Sequence, residues 1–339
     1  MKSIRSFLTA AFAVLACGPV NAADALDSQQ FEERFSGQAV SALNGKIEVG
    51  GFHVSFDSHD DVGESLQSSQ GYLAQGAVSL PLGSQFGLQI DAGALHGTVE
   101  TEGVAFASED LGVEAYGLGG HLFWRDPEIG LLGLYGQQTR YDLEDVDITH
   151  TRFGVKGEAY LGNFTLKGFA GRDVADFGFF GEGTYWAASG EVDFYITDDF
   201  LVKAGIEHSF KTTAAFAGVE AAFSSSQIAT SLFAEASFSE SEATAMAGIR
   251  FYFGGQAKSL KRRHREDDPD VNLFDNFGAL GSCLNGITAP PEDMLQLSAV
   301  PQKVSAPTSR ALPMPSLSIP DFDPDNCDVD YKPVMMDFN

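Results

Sequence analysis

The sequence predicts an all-β fold: a transmembrane antiparallel up-and-down β-barrel of about twelve strands, with a largely disordered C-terminal tail. Three observations predict it. From about residue 46 to 253, apolar and polar side chains alternate with a period of two, the pattern of strands with two unlike faces. Short and long connections alternate between these segments, as periplasmic turns and outer loops do in bacterial barrels. Past the N-terminal leader no stretch has the ~20 continuous apolar residues of a spanning helix, so any crossing falls to strands.

Composition narrows the partners. The 339-residue chain carries a formal net charge of −26 at pH 7, which excludes nucleic acid, because phosphate binding needs a basic face. The 28 Phe and 37 Gly suit strands with tight turns better than helices.

Residues 1–22 read as a signal peptide. Lys2 and Arg5 form the charged start, Phe7–Ala16 the apolar run, and Val20-Asn21-Ala22 a cleavage site before Ala23. Val14–Cys17 also fits a lipobox, so lipidation of Cys17 stays open. In the N-terminal segment 23–45, Phe31 and Phe35 are four apart and fit one short helix.

The barrel domain, 46–253, divides into strands near 46–56, 71–80, 86–98, 112–124, 130–141, 147–160, 164–172, 182–196, 200–210, 214–223, 228–238 and 244–253. The ninth shows the pattern clearly. Phe200, Val202, Ala204 and Ile206 share one face; Lys203 and Glu207 share the other. In the first strand Ile47 and Val49 share a face that Phe52, Val54 and Phe56 continue only after a one-residue shift, so a β-bulge is expected at Gly50-Gly51. Phe86, Trp124, Tyr160, Phe164, Phe194, Tyr195, Phe200, Phe223 and Phe253 flank the expected turns and read as an aromatic girdle at the headgroup level.

Gly248-Ile249-Arg250-Phe251-Tyr252-Phe253 resembles the insertion signal of outer-membrane barrels, in which Gly248, Phe251 and Phe253 would be read by the barrel-assembly machinery. With Lys258–Pro269, Gly120–Pro127 and Gly130–Tyr135, it is similar to a poorly characterised proteobacterial porin-like outer-membrane β-barrel family. That resemblance covers roughly 40–270. It implies a Gram-negative outer membrane and no particular reaction.

Inside such a barrel the polar face lines the lumen, because a charge facing lipid near the midplane costs roughly 2–4 kcal/mol. The basic lumen candidates are Lys46, Arg152, Lys156, Lys167, Lys203 and Arg250. The acidic ones are Glu48, Asp91, Glu158, Glu191, Asp193, Glu207, Glu220 and Glu235. They either line a wet channel and set its selectivity or pair into a network that fills the barrel.

Other chemistry is faint. Asp57–Glu64 offers oxygen ligands without the spacing of a calcium loop. His208-Ser209 is the one neighbouring pair that could serve a lipid-modifying barrel enzyme. No catalytic residue, metal site or cofactor is assigned.

The segment 254–339 reads as a periplasmic tail. Lys258–Arg265 is basic and could touch anionic headgroups or peptidoglycan, or simply stop the last strand from sliding. From Ala289 Pro and Ser are dense, as in a spacer, a partner-binding arm for a periplasmic protein, or a lumen plug. With Cys17 in the leader, Cys283 and Cys327 remain and are expected to pair as a disulfide.

The expected function is a porin-like passive channel for small hydrophilic solutes in the cell outer membrane, among lipid and lipopolysaccharide. A structural or partner-binding barrel with a closed lumen is the alternative. A lipid-modifying enzyme comes third.

Overall fold

The computed structural model describes residues 38–57, 65–102, 110–143, 146–178, 181–223, 228–254, 257–267, 269–288, 317–323 and 327–334. Twelve antiparallel strands close into a barrel. They are β1 (Asn44–Phe56), β2 (Ser65–Leu82), β3 (Phe86–Glu102), β4 (Asp110–Asp126), β5 (Gly130–Leu143) and β6 (Val146–Leu161), then β7 (Phe164–Asp176), β8 (Glu182–Thr197), β9 (Phe200–Ser209), β10 (Thr212–Ala222), β11 (Ala229–Phe238) and β12 (Glu242–Gly254). Each pairs with its sequence neighbours, and β1 also pairs with β12 from Asn44↔Gly254 to Phe56↔Glu242. Closure leaves no strand edge, so every strand has a ladder on both sides.

With an even strand number, both ends of the wall lie at one end of the barrel. That end, the turn end, also carries tight turns such as Gly162-Asn163, where Gly162 takes φ 61° at little cost. The opposite end is the loop end.

The expected strands fall short mainly at the loop end. β2, β3 and β4 have 18, 17 and 17 residues, and β9 and β11 have 10 each. About 9–11 residues cross a bilayer, so β2–β4 continue well beyond it. Both faces there can be polar, and the period-two contrast fades. The expected links 57–70 and 99–111 therefore shorten to 57–64 and 103–109.

The expected bulge at Gly50-Gly51 is absent. β1 pairs without a register shift against both β2 and β12 across this point. The apolar residues instead change sides. Ile47 and Val49 are exposed on the outer wall, and Phe52, Val54 and Phe56 are buried inside. The wall faces lipid at one level and a packed interior at the next.

That interior is supplied by the chain after β12. Helix α1 (Leu260–Glu266) lies at the turn end, and α2 (Phe277–Thr288) lies toward the loop end. Residues 269–276 run up the lumen between them. Leu273, Phe274, Phe277, Leu280 and Cys283 are buried in one cluster with the inward residues Phe52, Leu73, Leu95, Val113 and Tyr141 of the wall. The Phe277 ring lies 5.6 Å from Phe52, edge-on, and 5.7 Å from Tyr141, stacked. Each large apolar side chain buried this way contributes about 1.5–3 kcal/mol relative to exposure.

The boundary at 253/254 is thus close to the end of the wall, but 257–288 is not a tail hanging free of the barrel. It is built into the lumen, because the wall there presents an apolar inner face that water would not fill favourably. Two further strands, β13 (Leu317–Asp323) and β14 (Asp328–Val334), form an antiparallel hairpin. The signal peptide and the expected short helix lie outside the described residues, as does most of the Asp57–Glu64 loop.

Candidate functional site: the charged lumen

Successive residues of a strand point to opposite faces. This rule puts Ile90, Leu118, Leu134, Phe153, Ile206 and Phe251 on the outside, where all are exposed. It puts the charged residues between them inside.

Three ion-pair groups span the inner wall. Lys167 of β7 reaches Asp193 (2.7 Å) and Glu191 (2.9 Å) of β8 and Asp270 of the inner segment (2.6 Å). Lys203 of β9 meets Glu235 at 2.8 Å and Glu191 at 4.0 Å. Arg250 of β12 contacts Glu48, Glu220 (2.5 Å) and Glu235 (3.1 Å). Nearer the loop end, Arg152 pairs with Asp173 and Glu207, both at 2.7 Å. Asp91 is buried beside His121 (3.0 Å), and Glu158 accepts a hydrogen bond from Tyr160 Oη (3.0 Å).

The inner segment is held by the same residues. Lys46 Nζ donates to the Pro269 carbonyl (3.0 Å), Lys156 Nζ to Asn272 Oδ1 (3.0 Å), and Thr139 Oγ1 to the Leu273 carbonyl (3.2 Å). A cavity of about 180 Å³ remains, lined by Lys156, Lys167, Lys203, Glu191, Glu235 and Arg250 among others. Lumen candidates of both signs, far apart in sequence, therefore converge on one space.

The basic run forms a latch at the turn end. Lys258 pairs with Asp267 (2.5 Å), Lys261 Nζ donates to Asn163 Oδ1 (2.8 Å), and Arg265 donates to the Phe164 carbonyl (2.7 Å). Asn163 Oδ1 and the Gly162 and Phe164 carbonyls at this turn thus hold Lys261 and Arg265. His264 sits between two tyrosines. Tyr252 Oη donates to Glu220 Oε1 (2.7 Å) and so accepts from His264 Nε2–H (3.0 Å), while Tyr195 Oη donates to Nδ1 (3.0 Å). Burial pushes the imidazole down to about 4, outweighing Glu220 and Asp270.

Two members of the expected girdle belong to this latch. Tyr160 and Tyr195 are buried inward, with the Arg265 guanidinium over both rings. Phe86, Phe164, Phe194 and Phe223 are exposed on the outer wall. In the insertion signal, Phe251 and Phe253 share the outward face, and Gly248 shares the inward face of Arg250. A Cβ on Gly248 would meet the Val49 carbonyl at 2.2 Å.

His208 and Ser209 do not meet. His208 points outward to Thr213 Oγ1 (2.9 Å), and Ser209 points inward to Asp173 Oδ2 (2.8 Å). Adjacent strand residues cannot form a nucleophile–base pair across the wall. Among the described residues no group of three or more His, Cys, Asp or Glu side chains could hold a metal ion. Cys283 and Cys327 are joined by a disulfide.

Sequence reasoning missed the whole inner segment. The signal was the change of face in β1, where Phe52, Val54 and Phe56 turn an apolar surface inward.

A closed wall that is apolar outside and ion-paired inside defines an integral β-barrel of the outer-membrane class. The chain is similar in fold to the translocator domain of the autotransporter NalP from Neisseria meningitidis, with 13% identity, a TM-score of 0.50, and 63% of this chain and 88% of that one covered. It is also similar to an outer membrane channel from Pseudomonas putida F1, with 13% identity, a TM-score of 0.49, and 68% and 99% covered. At such identity the first likeness shows the fold alone. No protein-family model and no curated protein matches the chain.

Proposed function

We propose that the protein is a porin-like passive channel for small hydrophilic solutes in the outer membrane, narrowed by its own C-terminal segment. The observation that carries this reading is the cavity of about 180 Å³ with cations and carboxylates on its walls. Toward the loop end the segment fills the lumen through apolar contacts, whereas the cavity is walled by ion pairs, which recover little net stability when taken out of water. In a narrow passage the same charges set selectivity through their field. Lys156, Lys167, Lys203 and Arg250 act against Asp91, Glu158, Glu191, Asp193, Glu207, Glu220 and Glu235. The surroundings are outer-membrane lipid and lipopolysaccharide, reached through the barrel-assembly machinery. No catalytic residue or cofactor takes part.

Single-channel recording in planar bilayers tests this. The full chain should give small steps, and a chain ending at Gly254 should give larger ones. Silence from both would overturn the reading.

A second reading, a partner-binding or structural barrel with a closed lumen, is favoured by the anchoring of the inner segment. Asp270 ties it to the wall, and Cys283 ties it to Cys327. Silence from the full chain with conduction by the shortened one would fit this reading, in which the channel is closed at rest.

A further inference from the structure

We infer that the barrel carries its own C-terminal segment through the membrane and presents the β13–β14 hairpin on the outer surface of the cell. This goes beyond conduction and rests only on the outer-membrane placement of the wall.

The path of the chain can be traced through the contacts of its described residues. It leaves β12 at Gly254, at the turn end. Lys261 and Arg265 still touch the β6–β7 turn, through Asn163 and the Gly162 carbonyl. Pro269 is level with Lys46, near the start of β1. Leu273 is level with Thr139, well along β5, and Phe277 with Phe52 and Tyr141. A Cβ on Gly278 would meet Glu242, the first residue of β12, and one on Gly281 would meet the Phe56 ring, the last residue of β1. Both mark the loop end. The chain has crossed from one mouth to the other in about twenty residues.

The disulfide then anchors the hairpin to that mouth. Cys283 is buried in the lumen cluster at the loop end, 3.9 Å from Tyr185 Oη near the start of β8. It is bonded to Cys327, whose sulfur lies 3.9 Å from the Phe210 carbonyl in the β9–β10 connection. α2 packs against β14. The hairpin is therefore held at the loop end by a covalent bond.

The connections identify the side of the membrane. Bacterial barrels keep short turns on the periplasmic side and longer loops outside. The turn end has two-residue turns at Gly162-Asn163 and Asp198-Asp199 and at most the six residues of 223–228, whereas the loop end, beside two-residue links at 144–145 and 210–211, carries the two longest connections, 57–64 and 103–109. The hairpin shares the loop end with them. A chain that simply hung from β12 would lie on the periplasmic side.

Epitope accessibility on intact cells decides the matter. One epitope is placed after Asn339, and a second, in a separate chain, within the Gly162-Asn163 turn. Heat-modifiable gel mobility confirms the barrel in each. The C-terminal epitope should bind antibody equally before and after the outer membrane is permeabilised, and the turn epitope only after. A C-terminal epitope reached only after permeabilisation would overturn the proposal, and so would a turn epitope reached on intact cells. Bilayer recordings bear on conduction alone, so the two readings fail separately.

Discussion

Lys167 Nζ lies 2.6 Å from Asp270 Oδ2, so a cation of the barrel wall holds a carboxylate of the segment inside it. The same ammonium also meets Asp193 and Glu191. Three carboxylates share one cation, and this contact joins the lumen network to the plug.

Replacing Lys167 with Met should therefore be costly. It leaves three carboxylates without that cation, and breaking a buried pair by removing one partner costs about 3–5 kcal/mol. Asp270→Asn should cost less, because Lys167 keeps its two wall partners. Equilibrium unfolding in detergent micelles checks both. Equal losses would mean that Asp270 dominates.

The latch should weaken in acid. His264 is held neutral, down to about 4, whereas a free imidazole titrates near 6.5. The released segment therefore binds more protons between these values, so stability falls as pH drops from about 6.5 to about 4. Hydrogen exchange over residues 258–267 should speed up across that window. His264→Gln should flatten the dependence.

Assembly should depend on the outward aromatics of the last strand. Phe251→Ser with Phe253→Ser removes two rings from the lipid side of β12. The double variant should give less heat-modifiable barrel in outer-membrane fractions. A normal yield would show that this motif is not the insertion signal.

Selectivity should follow the lumen charges once the plug is removed. In a chain ending at Gly254, neutralising Lys156, Lys167, Lys203 and Arg250 should shift the reversal potential toward cations. An unchanged potential would place these residues off the permeation path.

Much of the wall was legible in the sequence, because a strand's period of two needs only its nearest neighbours. Lys203 and Glu207 alternate with Val202 and Ile206, which puts the two pairs on opposite faces, and the cost of a charge facing lipid assigns the first pair to the lumen. The inward direction of Glu191, Glu220 and Glu235 comes from the same rule.

The content of the lumen was not legible. Asp270 meets Lys167 and Leu273 meets Thr139 across more than a hundred residues of chain, and the segment between the two helices has no periodicity of its own. Its basic run looks like a solvated tail until the turn carbonyls that hold it are in place. Alternation determined which side chains face inward. Only closure of the barrel decided what they face, because an apolar and charged inner wall becomes a binding surface for a distant segment only after all twelve strands enclose it.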